Sequence, residues 1–194
     1  MICEVFTLNP ANKATLIRIA LIPVFILCFY LGKLFPGFPQ PLAYYIALGI
    51  FIFACLTDLW DGWYARKHGL VSNFGKLMDP MADKLLTSTA FILLCAAGKL
   101  PALFAIVFIG REFVISAFRM IAVEQGNVIA AGILGKTKTV LQFVTVCILI
   151  LDIPMNGALW VPASAVAMIA CIFTVWSCID YILKNKNVIK GEKE

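Results

Sequence analysis

The sequence predicts an all-α integral membrane fold of six transmembrane helices. Hydrophobic residues make up 62 % of the 194-residue chain and charged residues only 14 %, and the mean hydropathy is +0.94. Soluble chains have roughly 45–50 % apolar and about 25 % charged residues, so a bilayer must solvate part of this protein's surface. The apolar residues also gather into six stretches, each long enough to cross a bilayer as a helix.

Turn-forming residues mark the breaks between the predicted spans. The six spans are 15–32, 42–66, 80–98, 102–124, 133–152 and 160–183. The turn formers between them are Gly32, Pro36, Gly37, Pro39, Gly98, Pro101, Gly126, Asn127, Pro154, Asn156 and Gly157. A length of 194 residues predicts one domain, residues 1–194, with a short N-terminal segment, 1–14, and a basic C-terminal tail, 184–194.

The distribution of basic residues predicts the orientation of the spans. With six spans, both termini lie on one side of the membrane. Of the 16 lysines and arginines, only Lys33 and Lys99 fall on the other side, which leaves 14 with the termini. Positive residues collect on the cytoplasmic side, so we expect both termini in the cytoplasm and the protein in the cell membrane. The net charge of +5 then reflects orientation and anionic lipid, not nucleic acid.

Four aspartates stand near the cytoplasmic ends of the second and third spans. Asp58 and Asp61 are about 60° apart on a helix, and Asp79 and Asp83 are about 40° apart. Small residues share these faces, namely Gly62, Ala65 and Gly75, and they let a ligand approach the backbone closely. We expect Pro80 in the first turn of the third span, where its missing N–H has no cost.

The four carboxylates predict a divalent metal site. Each costs about 2.5–3.5 kcal/mol at membrane depth on insertion scales, and their mutual repulsion calls for a cation. Oxygen ligands suit one or two Mg²⁺ or Mn²⁺ ions, and Zn²⁺ remains possible. The seven cysteines form no Cys-x-x-Cys pair, and the chain has one histidine. The simpler alternative is a set of interfacial acids that pair with Arg66, Lys67, Lys76 and Lys84.

This pattern resembles the signature of the CDP-alcohol phosphotransferases at each fixed position. Its fixed residues are Asp58, Asp61, Gly62, Ala65, Arg66, Gly75, Asp79 and Asp83. The resemblance implies a six-helix enzyme, usually a homodimer, with an active-site cavity that faces the cytoplasm. Such enzymes use divalent metal when an acceptor hydroxyl displaces CMP from a CDP-linked donor. The resemblance further implies that all four aspartates bind metal and that Asp83 is the catalytic base. The donor-binding positions would be Asn12, Gly62, Ala65, Arg66 and Gly75.

Basic residues in the fourth and fifth spans predict a pocket for an anionic acceptor. Arg111 lies about ten residues into its span, roughly 15 Å deep, where an arginine should face a cavity or a partner. Arg119 borders the same broad face, and Lys136 and Lys138 open the next span. The four would bind a phosphate on the acceptor. The simpler alternatives are a structural pairing of Arg111 with Glu112 or of Arg119 with Glu124, and a plain positive-inside anchor at the lysines.

Three further segments resemble the bacterial phosphatidylglycerophosphate synthases, a branch of the same family. They are Asn12-x2-Thr15-x2-Arg18, residues 110–119, and residues 126–139. This resemblance implies CDP-diacylglycerol as donor and sn-glycerol 3-phosphate as acceptor. A sibling enzyme that uses inositol phosphate, serine or phosphatidylglycerol is the nearest alternative. A six-helix cation or lipid transporter, in which the aspartates bind a coupling ion, is an alternative of a different class.

Overall fold

The structure is a computed structural model, and its regular elements are helices throughout the described residues, 10–68, 73–124, 132–155 and 157–185. Side chains are described for 16–57, 84–122, 132–155 and 157–185. The helices are α1 (Pro10–Phe29), α2 (Leu31–Leu34), α3 (Gln40–His68), α4 (Asn73–Ala96), α5 (Ala102–Glu124), α6 (Ile133–Asp152) and α7 (Trp160–Lys184).

Several of these helices are long and apolar enough to cross a bilayer. Within the described residues, three segments meet both conditions, and they are Gln40–Thr57, Ile133–Asp152 and Trp160–Lys184. Leu16–Phe29 and Lys84–Ala96 are shorter apolar helical segments. Helix α5 has 23 residues but carries charges at Arg111, Glu112 and Arg119. A helical chain with such segments is an integral membrane protein.

The predicted bounds agree closely for the last three spans and less well for the first three. Helices α5 and α6 begin and end at the predicted residues, and α7 ends one residue late. The first span is interrupted at Tyr30, where the side-chain amide of Gln40 donates to the Phe29 carbonyl (3.0 Å) in place of a helical N–H. Helix α4 begins at Asn73, so Pro80 lies inside the helix and its predicted place in the first turn is wrong.

The described chain divides into two compact units, Met1–Leu93 and Leu94–Glu194, and the single domain stays a prediction. In the first unit α1 packs against α3. The buried face of α3 presents Ala43, Ala47, Phe51 and Ala54, at spacings of one helical turn. The rings of Phe25 and Phe51 lie 5.9 Å apart between centroids. Small alanines therefore allow α1 to approach closely, and phenylalanines fill the remaining space.

A tight connection that includes α2 joins α1 to α3. A Cβ atom on Gly32 would lie 2.6 Å from the Cα of Gln40, so only glycine fits there. The rings of Phe29 and Tyr44 lie 5.1 Å apart, edge to face. Later residues of α1 thus lie beside earlier residues of α3, and the two helices are antiparallel.

In the second unit α7 packs against both α5 and α6. Its buried face begins with alanines and becomes polar in its second half. The buried residues are Ala163, Ala167, Ala170, Thr174, Ser177 and Tyr181. Tyr181 joins an apolar cluster with Ile115, Phe118 and Ala122 of α5. Burying hydroxyls between membrane helices is costly unless they form hydrogen bonds, and the hydroxyl of Thr174 donates to the Ala170 carbonyl at 2.6 Å.

Candidate functional site

The aspartate motif lies on helical backbone at all four positions. Asp58 and Asp61 belong to α3, and Asp79 and Asp83 belong to α4. The angular spacing predicted within each pair therefore holds for the backbone. The donor set is four carboxylates, whose hard oxygens fit a hard divalent cation. The side chains of the four aspartates lie outside the described part of the structure. The same holds for the predicted donor-binding positions Asn12, Gly62, Ala65, Arg66 and Gly75, so the roles of all these residues stay predictions.

Where side chains are described, no three histidine, cysteine, aspartate or glutamate residues come together as a metal-binding group. A cation does lie inside the first unit, because Arg18 of α1 is only 2 % exposed. Arg18 stands seven residues before Phe25, whose ring contacts Phe51. In an antiparallel pair it comes level with the part of α3 about seven residues past Phe51, where Asp58 lies. A buried positive charge thus occurs at the depth of the aspartate motif.

In the second unit Arg111 is held at two of its three guanidinium nitrogens. Arg111 lies in the middle of α5, and the residue is 9 % exposed. Nη1 lies 3.3 Å from Oε1 of Glu112, and Nη2 donates to Oγ of Ser177 on α7 at 3.0 Å. The buried Nε has no hydrogen-bond partner among the described residues. One nitrogen of this guanidinium is therefore buried without a described partner.

Lys138 reaches the same carboxylate from α6. Its ammonium pairs with Oε1 of Glu112, and the residue is 3 % exposed. It also donates to the side chain of Gln142 at 3.4 Å, whose amide donates to the hydroxyl of Thr174 at 3.2 Å. We call these side chains the polar seam of the second unit. Its members are Arg111, Glu112, Lys138, Gln142, Thr174 and Ser177.

The polar seam holds more positive than negative charge. Among the described side chains, Arg111 and Lys138 share the carboxylate of Glu112, so the members of the seam carry one more positive than negative charge. Unbalanced charge at membrane depth costs several kcal/mol. It is typical of a site that receives a charged ligand.

Arg119 lies two turns along α5 and contacts Tyr181 of α7. Its Nε donates to the phenol oxygen at 3.3 Å, and its guanidinium carbon stands 5.5 Å from the ring centroid. The ring of Phe118 meets Tyr181 edge to face at 5.8 Å, which holds the tyrosine in place. Arg111 and Arg119 therefore both bond to hydroxyls of α7.

The two predicted lysines of α6 differ in position. Lys138 is buried in the polar seam, whereas Lys136 is exposed. Two residues turn a helix by about 200°, so the two lysines cannot share one face. Gly135 lies beside Arg111, because a Cβ on this glycine would stand 3.8 Å from Nη2. The structure thus brings together Arg111 and Lys138, through Glu112, and it leaves Lys136 outside that contact.

Several residues of this site were not predicted from the sequence, namely Gln142 of α6 and the hydroxyl residues of α7. For Thr174, Ser177 and Tyr181 the sequence predicts only membership of the span 160–183. Their spacing of three and four residues places them on one helix face. A row of hydroxyls at that spacing in an apolar helix indicates a polar contact with neighbouring helices, and this signal could have identified them.

A second buried carboxylate of this unit has a different environment. Asp152, at the end of α6, is fully buried. Oδ2 pairs with Lys99 at 2.9 Å, and Oδ1 accepts the backbone N–H of Leu159 at 2.7 Å. Both oxygens are bonded and the charge is balanced, so this pair connects the turn before α5 to the turn before α7.

Comparisons with known proteins give matches over nearly the whole chain. The family profile described as CDP-alcohol phosphatidyltransferase matches residues 8–176. A Bacillus subtilis protein named CDP-diacylglycerol–glycerol-3-phosphate 3-phosphatidyltransferase is 42 % identical over 188 residues, 94 % of this chain and 97 % of the relative. A protein of the same name from Pseudomonas fluorescens is 37 % identical, over 90 % of this chain and 89 % of its own.

Another relative carries a related name. It is a Mycobacterium tuberculosis protein named probable phosphatidylglycerophosphate synthase. It is 36 % identical over 186 residues, which cover 96 % of this chain and 86 % of the relative. The matches include the aspartate motif and most of the polar seam, because the family profile extends to residue 176.

Proposed function

The chain belongs to the CDP-alcohol phosphatidyltransferase family, and from that premise we propose that it transfers a phosphatidyl group from CDP-diacylglycerol to sn-glycerol 3-phosphate. The products are phosphatidylglycerophosphate and CMP, and the reaction belongs to phospholipid biosynthesis. Relatives that carry the name of this activity match over nine-tenths or more of the chain. The single observation that carries the choice of acceptor is the excess positive charge of the polar seam, with Arg111 Nε available.

The reaction is assigned to the aspartate motif. Asp58, Asp61, Asp79 and Asp83 would hold one or two Mg²⁺ or Mn²⁺ ions, with Zn²⁺ the less favoured metal; the metal supplies charge neutralisation at the pyrophosphate. Asp83 takes the proton of the acceptor hydroxyl. The hydroxyl oxygen bonds to the phosphorus next to diacylglycerol, the bond from that phosphorus to the bridging oxygen breaks, and CMP leaves with its electrons.

Donor and acceptor bind to different parts of the chain in this proposal. The donor nucleotide and pyrophosphate lie against Asn12, Gly62, Ala65, Arg66 and Gly75. Gly62, Ala65 and Gly75 permit close approach, and Arg66 offers a planar fork to phosphate oxygens. The acceptor phosphate is assigned to Arg111, Arg119, Lys136 and Lys138, of which Arg111 has a spare donor and Lys136 is exposed.

The arrangement in the membrane is part of the proposal. Six helices of 20 to 29 residues would each cross the bilayer. Both termini would lie in the cytoplasm, and the active-site cavity would open toward it. The bias of basic residues supports this orientation. The family resemblance further implies a homodimer. Light scattering of the purified protein would test the dimer, and cysteine labelling from each side of sealed vesicles would test the orientation.

An acceptor panel tests the function. Purified protein in mixed micelles is given CDP-diacylglycerol with glycerol 3-phosphate, inositol phosphate, serine or phosphatidylglycerol, and CMP release is measured. We expect release with glycerol 3-phosphate, its loss on chelation, and its return with Mg²⁺ or Mn²⁺. A preference for inositol phosphate would move the chain to a sibling activity. Absence of CMP with every acceptor would favour the transporter, and release that resists chelation would remove the metal.

A further inference from the structure

Glu112 has two cationic partners that come from different helices. Arg111 precedes it on α5, and Lys138 reaches it from α6. Neighbouring residues on a helix point about 100° apart, so Arg111 and Glu112 meet only if both side chains bend toward one point. Lys138 fixes that point, because its buried ammonium binds the same Oε1. The carboxylate therefore has a place set by tertiary contacts.

The Arg111 guanidinium is oriented by this carboxylate. Glu112 holds Nη1 and Ser177 holds Nη2, so two contacts fix the plane of a group that is rigid and flat. Nε is buried and has no partner within the described part of the chain. A buried guanidinium N–H aimed at no protein group is costly to leave unpaired. Its position suits an anionic oxygen of a ligand, since charge-assisted hydrogen bonds are the strong ones.

We propose that Glu112 is a positioning residue of the acceptor site, whose carboxylate orients Arg111 so that its Nε edge receives a phosphate oxygen. Lys138, which the proposed function assigns to the acceptor phosphate, acts on it through Glu112 in this arrangement, and Ser177 completes the support of the guanidinium. The inference rests on the proposed function and deepens it. The proposal places a negatively charged residue at a phosphate site. Electrostatic repulsion by itself would disfavour a carboxylate there.

Two effects of Glu112 oppose each other, and their balance makes the proposal testable. Its charge repels phosphate, so loss of the charge by itself would strengthen binding of the acceptor. Its geometry fixes Arg111, so loss of the anchor would weaken binding. A binding group must be held within about 0.5 Å of its productive position for its contact with the ligand to be strong. We infer that geometry dominates, because Lys138 already neutralises the carboxylate at the same oxygen.

The test is Glu112→Gln, which keeps the side-chain size and removes the charge. We expect the KM for glycerol 3-phosphate to rise about tenfold to a hundredfold, the loss of one charge-assisted contact. The KM for CDP-diacylglycerol and kcat should stay within about threefold, because in this proposal Glu112 acts only on the acceptor site through Arg111. Asp180→Asn removes a carboxylate from the exposed Asp180–Lys184 pair and serves as the matched control, with no change in either KM.

A double variant separates positioning from folding. Glu112→Gln takes the carboxylate away from a buried ammonium, so its Tm should fall. Glu112→Gln with Lys138→Met removes both charges and should regain most of the lost Tm, while the acceptor KM stays raised because the neutral amide oxygen holds Arg111 more weakly than the carboxylate does. A double variant that regains both Tm and KM would show that Glu112 only stabilises the fold. A single variant with an unchanged or lower acceptor KM would also overturn the proposal.

A binding measurement keeps this inference separate from the proposed function. Calorimetry with glycerol 3-phosphate and with inorganic phosphate needs no turnover. We expect the wild-type protein to bind both and Glu112→Gln to bind both about tenfold or more weakly. If the wild type releases no CMP in the acceptor panel but shows this difference, the function fails and the positioning role stands. Equal binding by the two proteins would reject the positioning role whatever the panel shows.

Discussion

Two buried carboxylates of the second unit differ in charge balance, and the difference separates a structural pair from the proposed acceptor site. Asp152 has one cation, Lys99, and its other oxygen accepts the backbone N–H of Leu159. Glu112 has two cations, Arg111 and Lys138, on one oxygen. The first pair is neutral and fully bonded. The second group has two cations for one carboxylate among the described side chains, and the Arg111 Nε has no described partner, which agrees with the proposed phosphate site.

The surroundings of the two groups agree with this difference. The Lys99 side chain is 21 % exposed and lies in the short turn before α5. Gly157, with φ of 85°, turns the chain so that its N–H donates to the Asp152 carbonyl at 3.2 Å. Asp152 therefore organises two connections between helices. Glu112 lies mid-helix among Arg111, Lys138 and Ser177, where side chains of three helices meet.

The largest effect is expected at the aspartate motif, whose carboxylates are predicted to bind metal, which extends the comparison to a third kind of carboxylate. Asp83→Asn should lower kcat about 10²–10⁴-fold, the usual contribution of a general base. CMP release measures kcat, and calorimetry with CDP-diacylglycerol should show that donor binding survives. A variant that keeps more than a tenth of the wild-type kcat would remove Asp83 as the base.

A smaller effect is expected at the second arginine of α5, which tests whether unbalanced charge serves the acceptor. Arg119→Ala should raise the KM for glycerol 3-phosphate about tenfold or more, because a charge-assisted contact to phosphate is lost. Tyr181→Phe removes only the phenol oxygen that Arg119 contacts and should raise this KM about threefold. Initial rates at varied acceptor give both values, and the donor KM is the internal control. Unchanged acceptor KM in Arg119→Ala would contradict the role of this arginine.

The smallest effect on turnover is expected at the balanced pair. Asp152→Asn takes the carboxylate from Lys99 and should lower the free energy of unfolding by about 1–3 kcal/mol. This is less than the loss for a fully buried pair, because Lys99 reaches water. Thermal unfolding in detergent gives the change in Tm. Below that Tm, kcat and both KM values should match the wild type. A raised acceptor KM would show that Asp152 belongs with Glu112.

Much of the fold could be predicted because its signals are local. The bounds of α5 and α6 follow from a run of apolar residues between turn formers. The start of α4 was missed because residues 73–79 are polar enough to read as loop, although they continue the helix. The interruption at Tyr30 depends on Gln40, eleven residues away from the carbonyl it bonds at Phe29. A hydropathy pattern does not contain that contact.

By itself the sequence determined the helices, the spacing of the four aspartates and the family, since these depend on residues near one another along the chain. The pairing of Arg111 with Glu112 is one that the sequence offered as an alternative, and the structure contains it. Only the tertiary structure decided the other partners of the basic residues. Arg111 bonds to a residue 66 positions away and Arg119 to one 62 positions away. Lys138 faces the interior and Lys136 does not. The physical reason is that the rotation of each packed helix about its axis depends on the neighbouring helices against which it packs.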